Sequence, residues 1–342
     1  MSVSFAMRRA RARALVAASI ALAALVAAPG RSPACDVCAI YSATDLREGS
    51  SGLSLGIAEQ FTHFGTLQQN GREVDNPAGQ RLDSSITQLF ASYYLTPDFG
   101  LQLDLPIIAR SFRRPEGDSI RSSDVSGVGD LSLLASYRAY SDVTETSVLH
   151  LTLLAGLKLP SGDSSRLAEE LEEEPEAEAA RPAHAGHELE TGVPSGIHGH
   201  DLTLGSGSVD GIVGGYFFWS WRRAYLTLAA QYAIRSEGSF DYQFANDLTW
   251  IGGPGYFVLL DHRYSLGAQA VLSGETKGND TLNGEKGDDT AITALYFGPG
   301  VTFTWGRSLG AEVAVDLPVL QHNTALQILP DVRVRAALSW RF

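Results

Sequence analysis

Val332-Arg333-Val334-Arg335-Ala336-Ala337-Leu338-Ser339-Trp340-Arg341-Phe342, the last eleven residues, decide the reading of this chain. Val332, Val334, Ala336, Leu338, Trp340 and Phe342 alternate with Arg333, Arg335, Ala337, Ser339 and Arg341. Successive side chains of a strand point to opposite faces, so this segment carries one apolar face and one largely cationic face. A strand of this kind ending on an aromatic residue is typical of barrels in the outer membrane. Phe342 is therefore the expected contact with the barrel assembly machinery.

Working towards the N-terminus, the same alternation gives twelve strands, near 52–64, 83–95, 99–110, 127–140, 147–160, 206–220, 223–235, 246–260, 263–274, 290–304, 307–319 and 330–342. An even number returns both ends of a barrel to the periplasmic side. Short connections (Thr96-Pro97-Asp98, Ser141 to Thr146, Trp221-Arg222, Asp261-His262, Gly306) alternate with long ones near 65–82, 111–126, 161–205, 236–245, 275–289 and 320–329. Short periplasmic turns and long external loops are the expected asymmetry. The fold expected is an all-β, antiparallel, up-and-down transmembrane barrel over 52–342, in contact with outer-membrane lipid. Tyr93, Tyr94, Phe99, Tyr137, Tyr140, Trp219, Trp221, Tyr225, Tyr264, Phe303, Trp305, Trp340 and Phe342 cluster near the short turns, where amphipathic rings form a girdle at headgroup level.

The first 34 residues read as a cleaved signal peptide: four arginines between Arg8 and Arg13, an apolar run from Ala14 to Ala28, and Ser32-Pro33-Ala34. The apolar run is too short to span a bilayer, and no later segment is long and apolar enough either. A closed barrel can still span, because every backbone group is paired within the sheet. Residues 35–51 then form a periplasmic segment carrying Cys35 and Cys38. Their Cys-x-x-Cys spacing fits a small disulfide, a metal or redox pair, or lipidation of Cys35. The net charge of -13 argues against nucleic acid, which needs clustered cations.

Alternation also assigns faces. With Leu101, Leu103, Leu105 and Ile107 towards lipid, Gln102 and Asp104 point into the lumen. The same phase turns Asp130, Arg138, His150, Lys158, Asp210, Gln231, Glu312, Asp316, Arg333 and Arg335 inward. Facing charges either create a field that selects permeants or pair off and seal the lumen. Glu59 breaks the apolar phase of Leu53, Leu55 and Ile57.

The 161–205 loop holds an acidic run from Glu169 to Glu178, followed by His184, His187, His198, His200 and Asp201. Dense like charge keeps a segment solvated. The His-x-x-His and His-x-His spacings suit zinc or copper, against the alternative of a flexible polar loop. Residues 278–289 resemble a single calcium nonapeptide, which binds only when copies stack. No nucleophile elbow, phosphate loop or dinucleotide fingerprint is present, so no enzyme activity or resident cofactor is expected.

Three segments occur in order: Gly127-Val128-Gly129-Asp130-Leu131-Ser132-Leu133, then Leu153 to Asp163, then Leu204-Gly205-Ser206-Gly207-Ser208-Val209-Asp210. With Tyr94-Leu95-Thr96 and the terminal Trp340-Arg341-Phe342, they resemble the outer-membrane family called "MetA-pathway of phenol degradation", over most of the mature chain. The resemblance implies a transport barrel linked by name to aromatic catabolism. The long 161–205 insertion departs from the family's short-looped pattern. The function expected is therefore passive passage of a small, hydrophobic or aromatic permeant. The alternatives are a metal-capturing surface protein and a structural barrel with a plugged lumen.

Overall fold

A computed structural model of the chain describes residues 52–117, 119–171 and 193–342. The signal peptide, Cys35, Cys38, His184, His187 and most of the acidic run lie outside the described residues. Twelve wall strands follow in order: β1 Gly52–Gln69, β2 Arg81–Tyr94, β3 Phe99–Glu116, β4 in two segments Ser119–Val128 and Leu131–Val143, β5 Ser147–Leu159, β6 Asp210–Trp221, β7 Ala224–Ile234, β8 Asp247–Leu260, β9 Tyr264–Lys277, β10 Ile292–Trp305, β11 Leu309–Asn323 and β12 Leu326–Arg341. Each pairs antiparallel with the next. β12 pairs back onto β1, from Ser54↔Arg341 to Gln69↔Leu326, and the sheet closes. Closure removes the edges that would otherwise leave backbone groups unpaired in hydrocarbon.

The expected alternation is present. Leu53, Leu55, Ile57, Leu101, Leu103, Ile107, Leu133, Leu153, Leu157, Val213, Val313, Val334 and Leu338 are exposed on the outer face. Asp104, Asp130, His150, Lys158, Asp210, Asp316, Arg333 and Arg335 are buried on the inner one. Glu59 stays on the outer face, where its carboxylate accepts hydrogen bonds from Ser85 Oγ and Thr87 Oγ1, both at 2.5 Å. Local hydroxyls satisfy the charge, so no bulge is needed to explain it.

Two of the expected long loops are mostly strand. β3 and β4 pair up to Glu116↔Ser119, and β11 and β12 continue to Asn323 and Leu326. Apolar alternation stops at the edge of the hydrocarbon, whereas backbone pairing continues beyond it with polar residues such as Ser122 and Asp124 facing out. The fourth strand bends at Gly129-Asp130. The expected start of β6 at 206 moves to Asp210, because the chain turns at Gly207, at φ +70°, and buries Ser206 and Ser208 on the inner side.

Tyr93, Tyr137, Trp221, Trp305, Trp340 and Phe342 are exposed at the short-turn end, as a girdle requires. Tyr225 is not part of it. It is 4% exposed and points into the lumen, in phase with Gln231. Closeness to a turn suggested the girdle, but strand phase decides the side.

Placing a charge on the outer belt provides a direct check. Leu103→Arg is expected to lower the stability of the barrel refolded in lipid vesicles by about 2–4 kcal/mol, the cost near the bilayer midplane. Denaturant titration of the refolded protein measures it.

Candidate functional site

The lumen is organised in layers. The layer nearest the short turns is aromatic. Phe218 on β6 and Tyr225 on β7 lie 6.4 Å apart between ring centres, and Tyr225 packs on Phe257 of β8 at 4.5 Å. Gly255 and Gly267 make room for Tyr225, since a Cβ at Gly255 would fall 2.1 Å from its ring. Tyr216, Phe218, Tyr225, Ile251, Val271 and Glu312 border a cavity there, together with Thr227, Gln269 and Thr302. Gln269 Nε2 donates to Thr227 Oγ1 at 2.6 Å and to the Gly253 carbonyl at 2.9 Å, which fixes the amide. The empty space between these residues is about 440 Å3, including the part open to solvent.

Above the aromatic layer lies a layer of paired charges. Lys158 Nζ sits 2.7 Å from Asp130 and 2.8 Å from Asp210. Arg235 continues the series, 2.9 Å from Asp210 and 2.7 Å from Asp247. Acid and base thus alternate along Asp130–Lys158–Asp210–Arg235–Asp247 across β4 to β8. On the facing strands Arg335 holds Asp316 through two hydrogen bonds of 3.0 Å, and Arg333 holds Glu275 at 3.1 Å. Of the residues that alternation aimed inward, Asp130, Lys158 and Asp210 meet in one network and Asp316 meets Arg335. Asp104 accepts from Gln102 Nε2 at 2.8 Å. Glu312 borders the cavity, and Arg138 stands half-buried, nearer the short turns. Arg235, Asp247 and Glu275 were missed, although their strand phase was available: Arg235 shares the parity of Gln231, and Glu275 lay one residue past the expected end of its strand.

The three segments that carried the family resemblance converge on this network. Asp130 accepts from Gly162 N at 3.0 Å, Ser206 N at 2.9 Å and Lys158 Nζ. Ser208 Oγ donates to Asp210 at 2.8 Å.

The third layer is a plug. Sequence placed the 161–205 loop outside, but its described ends fold into the lumen. Ile197 and Leu202 are fully buried against Phe64 and Leu67 of β1, Leu82 of β2, Phe112 of β3 and Ile328 of β12. Leu204 packs on Ile86 and Ile108. Burying apolar surface of this kind favours docking, and polar contacts fix its position. Arg110 donates to the Thr203 carbonyl at 2.5 Å, Arg114 to Glu169 at 2.6 Å, and Gln80 Nε2 to the Pro194 carbonyl at 2.9 Å. Arg114 fell in the expected 111–126 loop, and Arg110, the last residue of the expected strand 99–110, shares the parity of Asp104 but was not read as an inward cation.

His198 and His200 stack at 5.5 Å, and Asp201 caps the short helix by accepting from His198 N. His200 Nδ1 lies 2.9 Å from Glu170, and His198 Nε2 lies 3.5 Å from Asp289. No group of three or more such side chains is spaced to hold a metal among the described residues. Burial alone would depress the His200 imidazole. Asp201, Glu170 and Asp289 outweigh it and hold the ring well above the ordinary histidine range. Burial likewise disfavours the Glu170 carboxylate, but His200 and His198 bring it down to about 2.

A closed twelve-stranded antiparallel barrel with an apolar belt, an aromatic girdle and a polar interior is the fold of outer-membrane barrels. Among solved structures, the chain is similar to the COG4313 outer membrane channel from Pseudomonas putida F1, with a TM-score of 0.58 and 18% identity, covering 89% of this chain and 100% of that one. Weaker likenesses are to the β domain of the Bordetella autotransporter BrkA (0.39, 10%, 86% and 100%) and to the CymD monoaromatic hydrocarbon channel (0.37, 8%, 87% and 90%). At 18% identity the first of these likenesses shows the fold alone. No protein-family profile and no curated protein matches the chain.

Two outcomes follow from this geometry. Arg235→Ala leaves Asp210 and Asp247 short of a buried counter-charge and should destabilise the barrel by about 3–5 kcal/mol in denaturant titration. Docking of the plug should depend on pH. The raised pKa of His200 gives stability that is complete below its unfolded value near 6.5 and is lost as pH rises through the folded value. The lowered pKa of Glu170 gives stability that is present above about 4.5 and is lost towards about 2. Protection of the amides in residues 193–205, taken relative to the intrinsic exchange rate at each pH, is therefore expected to be greatest between about 4.5 and 6.5 and to fall in alkali, and His200→Gln should remove the alkaline limb.

Proposed function

We propose that this protein is a passive outer-membrane channel for a small, largely apolar solute. The observation that carries the reading is the aromatic cavity in the lumen, where Tyr216, Phe218 and Tyr225 face one another above the short turns. An enclosed wall of aromatic and aliphatic side chains with a few fixed polar groups is what an apolar ligand requires. Gln269, Thr302 and Glu312 offer such groups to a hydroxyl or amine on that ligand. Similarity to a known outer-membrane channel agrees with this reading.

Passage along the axis needs two movements: the aromatic side chains must part, and the plug must leave the upper lumen. The charge layer favours the second. Its acids and bases are already paired with each other, so undocking the loop does not strand every charge in the wall.

Purified protein in planar bilayers tests the reading. Wild type is expected to show small, discrete conductance. Ile197→Asp with Leu202→Asp places two carboxylates in the apolar contact with β1 and β3, and should raise the conductance several-fold. A folded barrel that passes neither ions nor small solutes, in either form, would refute the proposal.

A further inference from the structure

The polar groups that border the aromatic cavity are fixed in one sense. Gln269 commits both hydrogens of its amide nitrogen, one to Thr227 Oγ1 at 2.6 Å and one to the Gly253 carbonyl at 2.9 Å. A carbonyl only accepts, so the nitrogen and not the oxygen must face Gly253. What the amide has left to offer the cavity is Oε1, an acceptor. Glu312 adds a carboxylate, an acceptor that also carries negative charge.

Register sets this carboxylate at the height of the rings. Glu312 on β11 pairs with Thr302 on β10, Thr302 with Gly267 on β9, and Gly267 with Phe257 on β8. Tyr225 on β7 pairs with Gly255 on β8, and its side chain crosses both glycines. A Cβ at Gly255 would fall 2.1 Å from its ring, and one at Gly267 would fall 2.7 Å from its Oη and 2.6 Å from Thr302 Oγ1. The ring therefore lies along the wall, one face on the backbone and the other towards the axis, with its hydroxyl reaching towards Thr302. The planes of Phe218 and Phe257 turn from it by 29° and 35°, close to the step of ~30° between neighbours in a closed ring of twelve strands. The rings follow the curve of the wall.

An aromatic face is the negative end of the ring quadrupole, so it attracts a cation, and more strongly where water is excluded. Ring faces, amide oxygen and carboxylate thus all favour positive charge in one place. Among the described residues, no lysine, arginine or histidine borders the cavity. The cations on the adjoining stretch of β12 are committed to other acids: Arg335 holds Asp316 through two hydrogen bonds, and Arg333 holds Glu275. Glu312 already has an interaction of its own. A carboxylate has about four acceptor positions, so it can take a further donor.

These groups rank three kinds of solute. An anion entering the cavity would meet acceptors and ring faces, each of which repels it. A neutral apolar solute would cover the acceptors without giving them a donor, which costs their hydration. An ammonium brings three donors and no acceptor. It can replace its lost water with the Glu312 carboxylate, the Gln269 Oε1 and the face of a ring.

We propose that the cavity is a binding site for small protonated amines with an apolar body, taken in preference to neutral and acidic solutes of the same shape. The ammonium donates to Glu312 and to Gln269 Oε1, and the apolar body packs among Tyr216, Phe218 and Tyr225. This rests on the channel reading above and names the class of its solute. Glu312 is the residue that sets the preference for charge, and the rings set the preference for an apolar body.

Three probes of one shape test this: 2-phenylethylamine, protonated at neutral pH, 2-phenylethanol, which is neutral, and phenylacetate, an anion. Their binding to the purified barrel is measured by titration calorimetry in nanodiscs of phosphatidylcholine, with empty nanodiscs subtracted, and potassium conductance in planar bilayers is recorded beside it. Wild type is expected to bind the amine at least about tenfold more tightly than the alcohol, as a charge-assisted hydrogen bond with a cation over a ring implies, and the acid more weakly than either. Glu312→Gln should bring the amine to within about twofold of the alcohol and leave the alcohol unchanged, since the amide keeps the shape and an acceptor but loses the charge. Gel mobility before and after boiling shows that the variant is folded. Equal binding of amine and alcohol by wild type overturns the site, whatever the variant does. So does an amine preference that survives Glu312→Gln in the folded barrel. A barrel that conducts without preferring the amine keeps the channel and loses the site, whereas one that prefers the amine but passes no current upholds the site and refutes passage.

Discussion

Every backbone amide at membrane depth must find its partner inside the protein, because hydrocarbon offers none. That requirement accounts for the closed sheet, and the closed sheet then fixes two environments for the side chains. Outward positions must be apolar or locally satisfied, as Glu59 is by Ser85 and Thr87. Inward positions are free to carry charge, provided each charge is compensated.

Compensation of inward charge shapes the interior. Asp130, Lys158, Asp210, Arg235 and Asp247 come from different strands and meet only because the sheet curls. A buried pair of this kind adds little net stability over an apolar pair, but losing one partner is costly. The network therefore acts as a registration device: it holds β4 to β8 in place and presents Asp130 to the backbone of Gly162 and Ser206. The described ends of the loop are held inward by these contacts and by the apolar side chains Ile197, Leu202 and Leu204. Aromatic floor, paired charges and the described ends of the loop together fill much of the lumen.

The same requirement relaxes near the outer interface. There β11 and β12 part, with Pro318 and Pro330 at the base of the split and bulges on both flanks. A defect of this kind deep in the membrane would expose unpaired backbone to lipid. At the rim it is tolerated.

The amino-acid sequence by itself determined the strand count, the side to which most residues point, the alternation of short and long connections, and the inward charges Asp104, Asp130, Lys158, Asp210, Asp316, Arg333 and Arg335. Each of these follows from a period of two and from the cost of charge in hydrocarbon, both of which are local. Only the tertiary structure decided which charges meet, that the described ends of the 161–205 loop turn into the lumen, that Tyr225 belongs to the cavity and not to the girdle, and that the final hairpin parts above Asp316 and Arg333. These depend on register and closure, which bring together residues such as Asp130 and Ser206, 76 positions apart. Strand periodicity carries no record of that distance, and beyond the hydrocarbon edge, where strands continue with polar residues on both faces, it falls silent altogether.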